Sequence, residues 1–93
     1  MPTMIVKHTV QDFPAWKKVF DADAQHREII STGGRVLRST ESPNDVTIVM
    51  HVKHVGKAKE WAQDPRLREV MQNAGVQGAP DIRFYDEEIP FTV

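Results

Sequence analysis

Apolar and polar residues alternate along the start of the chain. From Thr3 to Val10 the repeat has a period of two, which is typical of a β-strand. One side of this predicted strand is formed by Met4, Val6, His8 and Val10.

A stripe of mostly apolar residues at spacings of three and four then predicts a single helix. Asp12 can cap its start, Pro14 is tolerated in the first turn, and Gly33 with Gly34 is expected to end it. The stripe consists of Phe13, Trp16, Phe20, Ala24, Arg27 and Ile30.

The middle of the chain predicts a β-hairpin. Its strands are Arg35 to Glu41 and Val46 to Lys53, joined by a turn at residues 42–45 whose Ser-Pro-Asn-Asp sequence favours reversal. A second helical stretch with Trp61 on its apolar side follows and is interrupted at residues 64–65, where Asp64 can cap its continuation.

Gly75, Gly78 and Pro80 end that helix and lead to a last strand, Asp81 to Asp86. The order strand, helix, strand, strand, helix, strand predicts one ferredoxin-like α+β domain over residues 1–93. Its four-stranded antiparallel sheet carries both helices on one face.

The third strand predicts a partner for the other face. In residues 46–52 five of seven residues are apolar and they fall on both sides, so both faces need cover. A homodimer packed sheet to sheet provides that cover. The apolar end at Ile89, Pro90, Phe91 and Val93 either lies against the partner subunit or is a free tail.

Composition narrows the function classes. The chain is 40% hydrophobic and 27% charged, a composition typical of a globular protein. Its net charge of −1 predicts no electrostatic attraction to nucleic acid or anionic lipid. The first and third strands lack the aromatic residues of RNA-recognition domains. Cysteine, HExxH and glycine-rich phosphate motifs are absent, so we expect no metal or nucleotide site. The chain lacks a membrane span and a signal-peptide pattern, which indicates a cytoplasmic protein.

Nearly the whole chain resembles the dimeric α+β barrel superfamily, which includes antibiotic-biosynthesis monooxygenase-like proteins, small polyketide cyclases and stress-responsive barrel proteins. The resemblance lies in the element order and in the segments IVKHTVQDFPAWKKVFD, SPNDVTIVMHV and WAQDPRLREVMQNAGV. It implies a homodimer that binds a small aromatic or polyketide-like molecule without a cofactor. In the cyclase branch a histidine after a Val-Lys pair faces the ligand cavity, and Val6, Lys7 and His8 reproduce that pattern.

His8 is the candidate catalytic residue. It shares a strand face with apolar residues, where an imidazole can act as a general acid or base near neutral pH. The other interpretation is a buried histidine satisfied by a protein partner. His51 is expected on the opposite face of its strand, toward the dimer interface.

The candidate substrate-binding residues are aromatic or polar. Trp16, Phe20 and Trp61 can wall a pocket over Met50, and core packing explains the same aromatic residues. Arg38, Arg83 and Tyr85 can stabilise an oxyanion or lie in solvent.

The leading hypothesis is cofactor-free oxygenase, cyclase or isomerase chemistry through His8, assisted by Tyr85 or an arginine. The alternative is a non-catalytic ligand-binding or stress-associated dimer. In that case the three aromatic side chains fill the cavity and leave no space for a ligand.

Overall fold

The sheet has the predicted ferredoxin-like topology. The computed structural model describes residues 2–93. All strand pairs are antiparallel, and the strands lie in the order β2-β3-β1-β4. Their bounds are β1 Thr3–Val10, β2 Ser31–Arg38, β3 Asp45–Val52 and β4 Val76–Tyr85.

Four helices occupy the two predicted helical regions. They are α1 Phe13–Ala22, α2 Ala24–Glu28, α3 Val55–Ala62 and α4 Pro65–Asn73. The break between α3 and α4 was predicted, and the Asp64 carboxylate accepts the Arg66 backbone N–H at 2.9 Å there. The Asp12 cap is also confirmed, because its carboxylate accepts the Ala15 N–H at 3.1 Å.

The prediction of one unbroken first helix is wrong. The helix breaks at Asp23, whose carboxylate contacts the ring Nδ1 of His26. Aspartate favours helix ends because its side chain offers such local hydrogen bonds in place of helical ones. The second segment, α2, then ends at Glu28, and the chain turns into β2 through Ile29 and Ile30.

Gly33 and Gly34 therefore lie inside β2 and do not cap a helix. The pairing of β2 with β3 shifts between Ser31 and Gly33, and Gly33 has a φ of 128°. The Ser31 hydroxyl accepts the Gly33 N–H at 3.0 Å and donates to the His51 carbonyl at 2.6 Å. The glycine pair that suggested a helix end instead allows the positive φ of a β-bulge.

The last strand is also longer than predicted, because Gly78 and Pro80 belong to β4. Lys7 pairs with Asp81 but Thr9 pairs with Gln77, so β4 carries extra residues opposite His8. Such an irregularity and a proline are tolerated in β4 because it is an edge strand.

The core lies between the sheet and the helices. Its buried members are Met4, Val6, Val10, Trp16, Ile30, Val46, Ile48, Met50, Val52, Ala58 and Ala74. Among residues 2–93, no helix combines the length and the apolar character that crossing a bilayer requires.

Candidate functional site

His8 lies on the helix-facing side of β1, and only 8% of its surface is exposed. Its ring stands edge-on to Trp16 of α1, with ring centroids 5.4 Å apart and an angle of 77° between the planes. Both ring nitrogens, Nδ1 and Nε2, are buried and have no hydrogen-bond partner among residues 2–93. The prediction that His8 points into apolar surroundings is confirmed.

An unpartnered imidazole in the core is an unusual feature. Most buried polar groups in proteins have a hydrogen-bond partner, and leaving one unsatisfied costs about 1–3 kcal/mol. Burial also lowers the pKa of His8 below the ordinary value of 6.5, because the charged ring loses hydration. At neutral pH the ring is therefore uncharged, with one nitrogen free to accept a proton.

A small cavity adjoins the His8 ring, and we call it the His8 cavity. Its volume is about 50 Å³. The predicted pocket residues Trp16, Phe20, Met50 and Trp61 all line it, so the fold brings these four together with His8. The remaining lining residues are Val6, Val19, Asp23, Arg27, Ile48, Leu67, Val70, Met71 and Ala74.

Aromatic stacking builds one wall of this cavity. The rings of Trp16 and Phe20 are stacked with centroids 4.9 Å apart, and Phe13 extends the row at 5.7 Å from Trp16. The three residues recur at helical spacing along α1, which places their side chains on the face that meets the sheet. The wall is apolar apart from the Trp16 indole N–H.

The structure does not bring Tyr85, Arg83 or Arg38 to the His8 cavity. Tyr85 pairs with Thr3 and Arg83 with Ile5, so both lie on the sheet face away from the helices. The Arg38 guanidinium lies 3.9 Å from the Phe13 ring centroid and donates to the Pro43 carbonyl at 3.0 Å. Arg38 and His8 instead line a separate open space of about 590 Å³. Within one chain, Arg83 and Tyr85 lie on the opposite sheet face from the His8 ring.

His51 faces the side of the sheet that carries no helix, opposite to His8. Its Nδ1 lies 3.2 Å from the Glu88 carboxylate. The same carboxylate accepts the Thr3 hydroxyl at 3.2 Å and lies 3.8 Å from Arg35. These contacts hold the start of the C-terminal tail against the outer face.

Arg27 is a site residue that sequence reasoning assigned only to the helix stripe. It lines the His8 cavity, and its guanidinium lies over the Phe20 ring at 3.6 Å from the centroid. An arginine at a position of the apolar stripe was the available signal, since a cation on a core-facing stripe needs a partner there. Sequence alone did not reveal that partner.

Within residues 2–93, no group of three or more histidine, aspartate or glutamate side chains is arranged to hold a metal ion. The polar chemistry of the His8 cavity thus rests on His8, Asp23 and Arg27. The Asp23 carboxylate is engaged with His26.

Solved structures share this architecture over nearly the whole chain. The cofactor-independent oxygenase SnoaB of Streptomyces nogalater superposes with a TM-score of 0.72 at 12% identity, over 96% of this chain and 94% of SnoaB. The chain has the fold of antibiotic biosynthesis monooxygenase-like proteins.

Two further structures have the same fold. A candidate antibiotic biosynthesis monooxygenase of Deinococcus radiodurans gives a TM-score of 0.69 at 13% identity and covers 100% of this chain and 98% of its own. A conserved protein of Methanosarcina mazei gives a TM-score of 0.69 at 12% identity and covers 94% of this chain and 92% of its own. No family model and no curated protein sequence match the chain. At these identities the likeness establishes the fold alone.

Proposed function

We propose that this protein binds a small aromatic or polyketide-like molecule in the His8 cavity and transforms it without a cofactor, with His8 as the general base. The observation that carries the proposal is the buried His8 ring, neither nitrogen of which has a hydrogen-bond partner in the described part of the chain. A ligand hydroxyl or acidic C–H that reached the ring would supply the missing partner. The fold shared with a cofactor-independent oxygenase supports the same proposal.

Proton abstraction is the step that such an imidazole can perform. Its acceptor nitrogen takes a proton from an acidic C–H or O–H of the substrate, which leaves an electron-rich enolate or phenolate. In an oxygenation, that carbanion gives electrons to dioxygen, and a CH₂ group and O₂ become a carbonyl and water. All the electrons that reduce dioxygen then come from the oxidised substrate carbon, so no cofactor is consumed.

Oxygenation is the lead reaction, with cyclisation and isomerisation as its rivals. The same carbanion closes a ring if it attacks a carbonyl of its own molecule, and it isomerises if it regains the proton at another carbon. The protein supplies the base and the apolar surroundings in all three. Oxygen consumption separates the first from the other two.

The His8 cavity is too small to hold a ligand unless a side chain in its wall moves. At about 50 Å³ it is smaller than the roughly 300–1,000 Å³ typical of small-molecule pockets. A wider pocket of about 210 Å³ lies beside it, and Phe20 and Arg27 line both spaces. We expect displacement of the Phe20 ring to join the two when a ligand enters.

The same small volume favours one alternative function. A non-catalytic barrel has its interior filled by Trp16, Phe20 and Trp61, and a cavity of about 50 Å³ is what such packing leaves. In that case no aromatic compound stabilises the protein. Ligand binding therefore discriminates between the two functions.

We also propose that the active form is a homodimer joined through the outer sheet face. That face bears Ile5, Leu37, Val49 and Tyr85, and Leu37 and Tyr85 are each 45% exposed. Beyond Glu88 the tail also exposes Ile89 and Phe91. A second copy packed on this face would bury the exposed side chains of Leu37, Tyr85, Ile89 and Phe91.

The test is a screen of phenols, quinols and aromatic acids by thermal shift and tryptophan fluorescence, followed by oxygen-electrode measurements on the hits. Trp16 and Trp61 line the cavity and should report a bound ligand. We expect His8→Leu to abolish turnover and His54→Leu, at an exposed histidine, to leave it unchanged. Turnover that survives His8→Leu, or a screen without hits on the folded protein, would overturn the proposal.

A further inference from the structure

The Arg27 guanidinium is fixed at the boundary between two spaces. Its Nη1 donates to the Phe20 carbonyl at 2.5 Å, and its Cζ lies 3.6 Å from the Phe20 ring centroid. The first space is the His8 cavity. The second, which we call the β2 pocket, is the space of about 210 Å³ between α1, α2, β2 and β3.

The two spaces share a wall. Their common lining residues are Phe20, Arg27, Ile48 and Met50. A ligand with its ring beside His8 would therefore meet Arg27 as it extends toward the β2 pocket. The Gly33 segment lines the far side of the β2 pocket.

The charge of Arg27 has no direct counter-ion. Within residues 2–93, no carboxylate oxygen lies within 4.0 Å of its guanidinium. Asp21 and Asp23 act on it only from a greater distance, and they oppose the larger effect of burial, which lowers the pKa of Arg27. An arginine stays protonated despite such a shift, so this site holds a partly desolvated cation.

The hydrogen-bonding capacity of Arg27 is also incomplete. In the described part of the chain its guanidinium makes one hydrogen bond, through Nη1 to Phe20. The edge formed by Nε and Nη2 makes no hydrogen bond within residues 2–93, and two parallel N–H groups match the two oxygens of a carboxylate. The other charged residues at the β2 pocket are Glu28 and Arg35.

We propose that Arg27 binds the carboxylate of the ligand, so that the substrates of this protein are aromatic acids. The aromatic ring occupies the His8 cavity, and the carboxylate extends into the β2 pocket against the free edge of Arg27. This inference rests on the proposed function, because it requires a ligand ring beside His8. It adds the acidic group and the residue that recognises it.

The experiment compares two probes of nearly the same size and shape, the anion 4-hydroxybenzoate and the neutral 4-hydroxybenzamide, by titration calorimetry. Wild-type protein should bind the acid about tenfold or more tightly than the amide, as expected for a charge-assisted bidentate contact. Arg27→Gln should abolish this preference and leave the affinity for the amide unchanged. Arg27→Lys should keep part of the preference, because it keeps the charge without the fork.

Arg66→Gln is the matched control. Arg66 lines neither the His8 cavity nor the β2 pocket, its side chain is 87% exposed, and it pairs with Asp64. We expect Arg66→Gln to keep the wild-type preference for the acid. Thermal melts of each variant establish that it is folded before the titration.

The outcomes separate this inference from the proposed function. If wild-type protein binds both probes equally and His8→Leu weakens both, the histidine site stands and the Arg27 anchor is wrong. An acid preference that persists in folded Arg27→Gln also overturns the anchor. If wild-type protein binds neither probe but binds phenols or quinols in the screen, the Arg27 anchor is wrong and the proposed function stands; a screen without hits overturns both.

Discussion

The rings of His8 and Trp16 meet edge to face in the core, with centroids 5.4 Å apart, and within residues 2–93 neither imidazole nitrogen has a hydrogen-bond partner. The edge-on contact fixes the plane of the histidine ring without satisfying either nitrogen. A group held in place and left unsatisfied is typical of sites where stability is lost in favour of function.

The first prediction is that His8→Leu stabilises the protein. Leucine has a similar volume and no polar atoms, so the substitution removes two buried unsatisfied nitrogens. We expect the free energy of unfolding to rise by about 1–2 kcal/mol. For a domain of this size each 1 kcal/mol corresponds to about 4–8 °C in Tm. Denaturant titration and calorimetry measure both, and a lower stability would show that His8 has a structural partner in solution.

The second prediction concerns pH. Because burial lowers the pKa of folded His8 below 6.5, the unfolded chain binds more protons than the folded chain just below that pH. The His8 contribution to stability is therefore intact above pH 6.5 and is lost as the pH falls toward the folded pKa.

The difference in unfolding free energy between wild type and His8→Leu isolates this contribution from other acid-sensitive groups. It should change steadily below pH 6.5 and be constant above it. The acid limb of kcat/KM should likewise have a midpoint below 6.5, since only the neutral ring accepts a proton. An acid limb of kcat/KM with its midpoint above pH 6.5 would contradict the prediction.

The third prediction concerns the dimer. Leu37 lies on the outer sheet face opposite Thr47, and an aspartate there would place a charge in the proposed interface. Light scattering at micromolar concentration should give twice the chain mass for wild type and a monomer for Leu37→Asp. Ile29→Asp is the matched control, since Ile29 is 66% exposed but lies between α2 and β2. A monomeric wild type would contradict the interface.

The fourth prediction tests the close pairing of β2 and β3. A Cβ at Gly34 would lie 1.8 Å from the Val49 carbonyl oxygen, a backbone atom that cannot move aside. Gly34→Ala should lower the free energy of unfolding by at least about 2 kcal/mol, because the edge strand must shift. Gly56→Ala, where a Cβ meets no atom within 4 Å, should instead stabilise α3 by about 0.5 kcal/mol. Chemical denaturation of both variants measures the contrast.

Much of the fold and part of the site could be predicted from local pattern. The period-two repeat placed His8 on the buried face of β1, and the helical stripe placed Trp16 and Phe20 opposite it. Element ends were less predictable. Gly33 and Gly78 were assigned to helix ends, but both lie in strands, because a positive φ suits a β-bulge as well as a helix terminus.

The sequence by itself determined the order of elements, the face of each strand and the aromatic stripe, because these follow from the spacing of neighbouring residues along the backbone. Only the tertiary structure decided which side chains meet. Strand pairing placed Tyr85 and His8 on opposite faces of the sheet. The first helical region breaks at Asp23, and beyond that break the Arg27 guanidinium lies over the Phe20 ring. Hydrogen-bond partners come from elements far apart in the chain, so the unpartnered state of His8 could be recognised only once every neighbour was in place.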